Sequence, residues 1–128
     1  MFTIEQINDL HDRLGSPGRL AQYLRALHAI GVETSDSFLT DGHSEFFGKD
    51  GHQVMSVPAH ETFTIADASS REGLLEHLRL ATEGTTSYVE MSRGLADSGV
   101  EKWTFDMNEM TIAYYDKAGN ELLVEEIR

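Results

Sequence analysis

The chain has 128 residues, of which 40% are hydrophobic and 25% are charged, and these proportions are typical of a soluble globular protein rather than a disordered or membrane protein. It contains no cysteine, which excludes disulfides, thiolate nucleophiles and cysteine-based metal sites. Its 22 acidic and 10 basic residues give a formal net charge of -12, which repels phosphate backbones and argues against direct binding to nucleic acid.

The distribution of apolar residues predicts a cytoplasmic protein without a membrane segment. The longest apolar runs are far too short to cross a bilayer. Acidic residues at positions 5, 9 and 12 interrupt the stretch in which a signal peptide would need continuous apolar residues. We expect one domain over residues 1–128 that needs no cofactor.

Two helices are predicted at the start of the chain. Thr3 and Gln6 have the spacing of a capping box, and apolar residues then recur at helical spacing as far as Gly15. The pair Ser16-Pro17 suits the N-cap and first position of a second helix, which Gly31 ends.

A β-rich stretch follows, and turn residues divide it. The predicted strands cover residues 32–39, 43–47, 52–57 and 61–65. Asp41-Gly42 and the four-residue turn Gly48–Gly51 separate the first three, because these residue types tolerate positive φ. Pro58 places the fourth strand at an edge of the sheet, since proline cannot donate to a ladder.

The second half repeats this order. Ser70 caps a third helix, and Ser87 with Glu90 forms a capping box for a fourth helix that stops at Gly99. The last predicted strands cover residues 100–106, 110–115 and 121–127.

Two segments recur at one fixed offset. Gly31-Val32-Glu33 recurs as Gly99-Val100-Glu101, and the segment 46–51 recurs as 114–119, both 68 positions later. We therefore predict an α-α-β-β-β unit used twice, in halves of about 1–60 and 69–128. The fold class is α+β, with an antiparallel sheet packed by four helices.

The hairpins carry apolar residues on both faces. If the Gly48–Gly51 turn pairs Phe47 with His52, Phe47 and Val54 share one face and Phe46 and Met55 share the other. Because one helical layer covers only one face, we expect a homodimer with C₂ symmetry to cover the second. The strand surfaces of this dimer include some of Phe47, Val54, Tyr115, Leu122 and Val124. The alternative is that the helix pairs cover opposite faces within a monomer.

The aromatic residues of the strands suggest a second kind of surface. Trp103 and Tyr115 carry polar tips that suit a ligand pocket or an interface, although an ordinary core uses the same residues. The predicted surface for a ligand or protein partner consists of Phe47, Trp103, Tyr115 and Leu122.

The densest polar cluster consists of Asp41, His43, Glu45, His52 and His60. Strand alternation places the first three on one face, and the proposed hairpin adds His52 to it. Asp41, His43 and His52 are candidate zinc ligands, and His43, Glu45 and His52 are candidate catalytic groups for general-base hydrolysis. The alternative is that all are solvated turn and strand residues.

Three segments resemble the YbcV-like family of bacterial and prophage proteins. They are Asp41–Gly48 (DGHSEFFG), Gly99–Trp103 (GVEKW), and Tyr114–Glu121 followed by Val124–Ile127. The family is uncharacterised and is sometimes labelled a phage envelope protein. The resemblance implies a small α+β fold with no known activity and supplies no catalytic residues.

These observations leave three functional hypotheses. The first is a non-enzymatic module that binds a protein partner or a small ligand, since no catalytic motif occurs. The second is a metal-dependent or general-base hydrolase that uses His43, Glu45 and His52. The third is an acidic mimic of nucleic acid that binds a host protein.

Overall fold

A computed structural model describes residues 1–14 and 17–127 of the chain. These residues form four α-helices and one six-stranded antiparallel sheet, which confirms the predicted α+β class. The helices are α1 (Ile4–Leu14), α2 (Leu20–Ala29), α3 (Arg71–Thr82) and α4 (Tyr88–Asp97). The strands are β1 (Thr34–Phe38), β2 (Ser44–Phe47), β3 (Gln53–Met55), β4 (Val100–Asp106), β5 (Thr111–Asp116) and β6 (Glu121–Glu126). None of the helices in the described part of the chain is long and apolar enough to cross a membrane.

Both predicted capping boxes are confirmed. The Thr3 backbone N–H donates to Gln6 Oε1 at 2.8 Å, and the Gln6 N–H donates to Thr3 Oγ1 at 3.3 Å. Ser87 and Glu90 make the same reciprocal pair at the start of α4, at 2.9 and 3.1 Å. Ser70 caps α3 by accepting the N–H of the third helical residue. These caps satisfy amide donors that a helix start leaves unpaired.

The start of the second helix differs from the prediction. Residues Pro17–Arg19 form a 3₁₀ turn, and α2 begins only at Leu20. Arg19 holds the N-cap position and makes no side-chain cap, because it has no acceptor to offer the helix amides. The predicted stop at Gly15 and cap at Ser16 lie outside the described residues.

The strand predicted over residues 61–65 is wrong. This segment has no strand pairing, although Phe63 and Ile65 are buried in the core. One backbone bond, from the Phe63 N–H to the Thr40 carbonyl, ties it to the end of β1. The reason lies in the sheet: β1 has β2 on one side and β4 on the other, so it offers no free edge.

The sheet order is β3-β2-β1-β4-β5-β6. Each half of the chain contributes three consecutive strands, and the halves meet where β1 pairs with β4 in antiparallel orientation. Ser35 lies opposite Phe105 and Ser37 lies opposite Trp103 across this central pair. The order of elements, two helices and three strands, is the same in both halves.

The predicted register of the β2–β3 hairpin is wrong by one residue. Phe47 pairs with Gln53, not with His52, and Phe46 pairs with Val54. Residues Lys49–Gly51 form a 3₁₀ turn in which Asp50 has a φ of 57°, so the connection is longer than the four residues assumed. A shift of one residue moves every side chain to the other face. Val54 therefore shares a face with Phe46 and not with Phe47.

All four helices pack on one face of the sheet. The α1/α2 core contains Phe2, Ile7, Leu10, Leu24, Leu27, Val32, Phe46 and Met107. The α3/α4 core contains Leu39, Phe63, Ile65, Leu74, Leu95, Ala96, Val100, Trp103, Ile112 and Tyr114. Because Phe46, Trp103, Ile112 and Tyr114 project from the same side of the sheet, the helix pairs do not cover opposite faces.

The opposite side is termed the helix-free face. Its residues alternate along each strand with those of the two cores. They are Thr34, Asp36, Phe38, Glu45, Phe47, Gln53, Met55, Lys102, Thr104, Ala113, Tyr115 and Val124.

Candidate functional site

The polar cluster predicted around His43 forms at the start of β2. His43 Nδ1 lies 2.5 Å from Asp41 Oδ1, and Nε2 lies 3.2 Å from Glu45 Oε2. The His43 backbone N–H also donates to Asp41, which closes the turn that Gly42 makes with a φ of 78°. The imidazole stacks on Phe38 with ring centroids 4.6 Å apart and planes 8° from parallel. The side chains of Asp41, His43 and Glu45 therefore meet, as strand alternation predicted.

The two carboxylates set the charge of His43. Burial lowers the pKa of His43, but hydrogen bonds to Asp41 and Glu45 and their negative charges outweigh it and raise this pKa above its usual value. Burial likewise raises the pKa of Asp41, whereas hydrogen bonds from His43 and the charges of His43 and His60 lower it overall. The cluster thus favours an imidazolium that donates to a carboxylate from each nitrogen.

In this charge state His43 supplies neither a metal ligand nor a general base, and the catalytic and metal-binding roles of the cluster stay predictions. An imidazolium that donates from both nitrogens has no lone pair with which to bind a metal or to accept a proton. Among residues 1–14 and 17–127, no group of three or more histidine, aspartate and glutamate side chains is arranged to hold a metal ion.

His52, the other predicted ligand and catalytic group, does not join the cluster. Its Nε2 lies 2.7 Å from the Phe2 carbonyl oxygen, and its ring packs edge-on against the Phe2 ring at 4.4 Å. The one-residue change of hairpin register explains this, because it takes His52 out of the strand face that carries His43. His60 lies beside the cluster, because its backbone N–H donates to the Asp41 carbonyl at 3.1 Å, but its ring stacks on Phe63 and is bonded through Nδ1 to the Glu61 carbonyl.

A second polar group lies at the centre of the helix-free face. Thr104 Oγ1 donates to Asp36 Oδ1 at 2.6 Å, and Lys102 Nζ lies 3.4 Å from Asp36 Oδ2. The Lys102 ammonium is also 5.9 Å from the Phe38 ring centroid and 5.7 Å from that of Tyr115, within reach of a cation–π contact. Phe38 therefore joins this group to His43.

Sequence reasoning missed this second group. Asp36 and Lys102 lie on different halves of the chain, and neither belongs to a motif. The offset of 68 residues at which the sequence recurs could have pointed to this group, since it relates Asp36 to Thr104.

The structure divides the predicted ligand or partner surface. Phe47 and Tyr115 lie half-buried on the helix-free face. Trp103 is 9% exposed and belongs to the α3/α4 core, where its ring meets that of Tyr114. Leu122 packs against the same core at a shift of register in β6, where Tyr114 pairs with Leu123 and Tyr115 with Glu121. The four residues do not form one surface.

Fold and site together define an α+β protein whose antiparallel sheet is covered by helices on one side. The other side carries partly exposed aromatic residues and charged residues that are paired with each other. The chain matches a family described as protein of unknown function (DUF1398) over residues 8–126. It belongs to this family. No curated protein matches it.

Proposed function

We propose that this protein is a non-enzymatic interaction module of prophage origin, as its resemblance to the YbcV-like family implies, and that its helix-free face binds a second copy of the chain. The observation that carries the proposal is the composition of this face. Three aromatic side chains, Phe38, Phe47 and Tyr115, are all partly accessible there. Aromatic residues are enriched at protein interfaces.

Charge favours a second copy as the partner. The whole chain carries a formal charge of -12, so two copies repel each other across most of their surfaces. On the helix-free face, however, Asp36 is bonded to Lys102, and Glu45 is bonded to His43. Contact between two such faces brings together charges that are already paired, which reduces the repulsion between the two copies.

The size of the face fits a modest interface. Six strands about 4.8 Å apart and about 18 Å long form a face of roughly 500 Å². Two copies would bury about 1,000 Å², at the lower end of specific interfaces. Large apolar side chains at both edges extend it, because Met55 on β3 is 54% exposed and Val124 on β6 is 46% exposed. We expect a reversible dimer.

Sedimentation equilibrium of the wild type and two matched variants tests the proposal. Tyr115→Asp puts a charge on the helix-free face and should weaken self-association at least tenfold. Tyr88→Asp makes the same change at a tyrosine of α4 that is 47% exposed and lies on the helical side, and should leave self-association unchanged. A wild type that is monomeric at every concentration, or equal weakening by both changes, would contradict the proposal.

We also propose that the chain is one cytoplasmic domain that arose by duplication of an α-α-β-β-β unit. The strand registers support this. Ser35 pairs with Phe46 in the first half, and Trp103 pairs with Tyr114 in the second, each partner 68 positions later. The registers of the outer hairpins differ by one residue from this offset, since Phe46 pairs with Val54 whereas Tyr114 pairs with Leu123.

A further inference from the structure

A groove lies on the helical side of the sheet, away from the helix-free face. The first turn of α2 forms one wall, and β5 and β6 form the floor and the other wall. Its volume is about 540 Å³, within the range of small-molecule binding sites. Ile112 and Ile127 give its lining an apolar part.

Two arginines lie on the helix wall. Arg19 and Arg25 both line the groove, although the whole chain has only ten basic residues. Arg25 makes no hydrogen bond or ion pair with any residue of the described ranges, and Arg19 makes one long bond of 3.4 Å to the Arg13 carbonyl. Within the described residues, no side chain or carbonyl therefore competes for the donors of the Arg25 guanidinium. Arginine binds carboxylates through two parallel hydrogen bonds.

The strand wall supplies carboxylates, whose charge is opposite to that of the arginines, and a tyrosine hydroxyl. Glu125 and Glu126 of β6 line the groove, and Glu125 has no ion pair within the described part of the chain. Tyr114 is only 5% exposed, yet its hydroxyl makes no hydrogen bond to any described residue. Burial and the charge of Glu125 raise the pKa of Tyr114, so this hydroxyl stays protonated.

We propose that the groove binds a small zwitterion with an apolar body, the chemical class of the apolar amino acids. Arg25, assisted by Arg19, takes the carboxylate. Glu125 takes the ammonium group, and the Tyr114 hydroxyl supplies a further hydrogen bond. The apolar body packs against Ile112 and Ile127. A molecule that carries only one of the two charges leaves either Arg25 or Glu125 unpaired, and the site therefore discriminates against it. This inference is independent of self-association through the helix-free face.

Three probes test the proposal by NMR titration of ¹⁵N-labelled protein. They are L-phenylalanine, 3-phenylpropionate, which lacks the amine, and phenethylamine, which lacks the carboxylate. L-Phenylalanine should shift the amide signals of α2 and β6 and bind at least tenfold more tightly than either analogue. Equal affinity for all three probes, or no shift with any of them, would overturn the proposal.

Two arginine variants locate the binding. Arg25→Gln should weaken binding of L-phenylalanine at least tenfold without changing the Tm, because this side chain has no hydrogen-bond or ion-pair partner among residues 1–14 and 17–127. Arg79→Gln removes an exposed arginine from α3, outside the groove, and should bind as the wild type does. Unchanged affinity in Arg25→Gln would overturn the assignment of the carboxylate site.

Discussion

Asp36 and Thr104 face each other across the central strand pair, and the Thr104 hydroxyl donates to the Asp36 carboxylate at 2.6 Å. They are also 68 residues apart, the offset at which the sequence repeats. This is the pair expected at the two-fold axis of the duplication that we propose. The flanking backbone bonds, from Leu39 to Glu101 and from Met107 to Glu33, are images of each other under the same offset, both at 2.9 Å.

The first prediction concerns this pair. Asp36→Asn should lower the free energy of unfolding by about 1–3 kcal/mol, because Lys102 loses its carboxylate partner on a half-buried face. Thr104→Val should lower the free energy of unfolding by a smaller amount. Urea denaturation of both single variants and the double variant gives the coupling, which should be about 0.5–1.5 kcal/mol. Additive effects would show that the bond contributes nothing.

The second prediction concerns the pH dependence that His43 creates. Its pKa is raised in the folded protein, so its contribution to stability is complete below the unfolded value of about 6.5 and is lost as the pH rises through the folded value. The pKa of Asp41 is lowered, so its contribution is lost at the acid end. His43→Gln should therefore destabilise the protein most below about pH 6.5, and progressively less as the pH rises above that value. Chemical denaturation of the wild type and His43→Gln at a series of pH values measures the difference in their free energies of unfolding. A difference that grows as the pH rises would contradict the prediction.

The third prediction concerns the contact between α3 and α4. A Cβ added at Gly94 would overlap the His77 ring, so Gly94→Ala should destabilise the protein by about 1–3 kcal/mol. His77→Ala should recover part of this loss in the double variant. Gly18→Ala is the matched control, because no atom of the described residues lies within 4 Å of its added Cβ. Equal Tm values for the two glycine variants would be inconsistent with the close packing.

The fourth prediction compares the glycines that end α2 and α4. Gly31 and Gly99 have φ of 106° and 85°, and alanine is strained at both. At Gly99 the added Cβ would also lie 2.6 Å from Ser69 Cα, whereas at Gly31 its nearest neighbour is the Phe2 ring at 3.6 Å. Gly99→Ala should therefore lower the free energy of unfolding by at least about 1 kcal/mol more than Gly31→Ala. Chemical denaturation measures both free energies of unfolding. A larger loss in Gly31→Ala than in Gly99→Ala would contradict the prediction.

Local signals in the sequence located most of the elements. The capping residues Thr3, Ser70 and Ser87 act within one helical turn, so the sequence suffices to find them. The register of β2 against β3 was not accessible in this way, because it depends on the conformation of the Lys49–Gly51 turn, in which both Asp50 and Gly51 have positive φ. The same turn also separates His52 from His43, because it shifts the pairing of β3 by one residue.

Long-range pairing was beyond local reasoning. The segment 61–65 alternates like a strand, but β1 has no free edge to receive it. Similarly, alternation along β2 brought Asp41, His43 and Glu45 together, whereas Lys102 joins Asp36 only because β4 pairs with β1. The placement of all four helices on one face follows from the same central pairing.

The dilution dependence of amide chemical shifts tests the central claim most directly. If the helix-free face binds a second copy, the signals of Phe38, Phe47, Tyr115 and their strand neighbours should move as the protein is diluted, while those of the four helices stay in place. Signals that stay constant at every concentration, or that move on α1–α4 instead, would contradict the account.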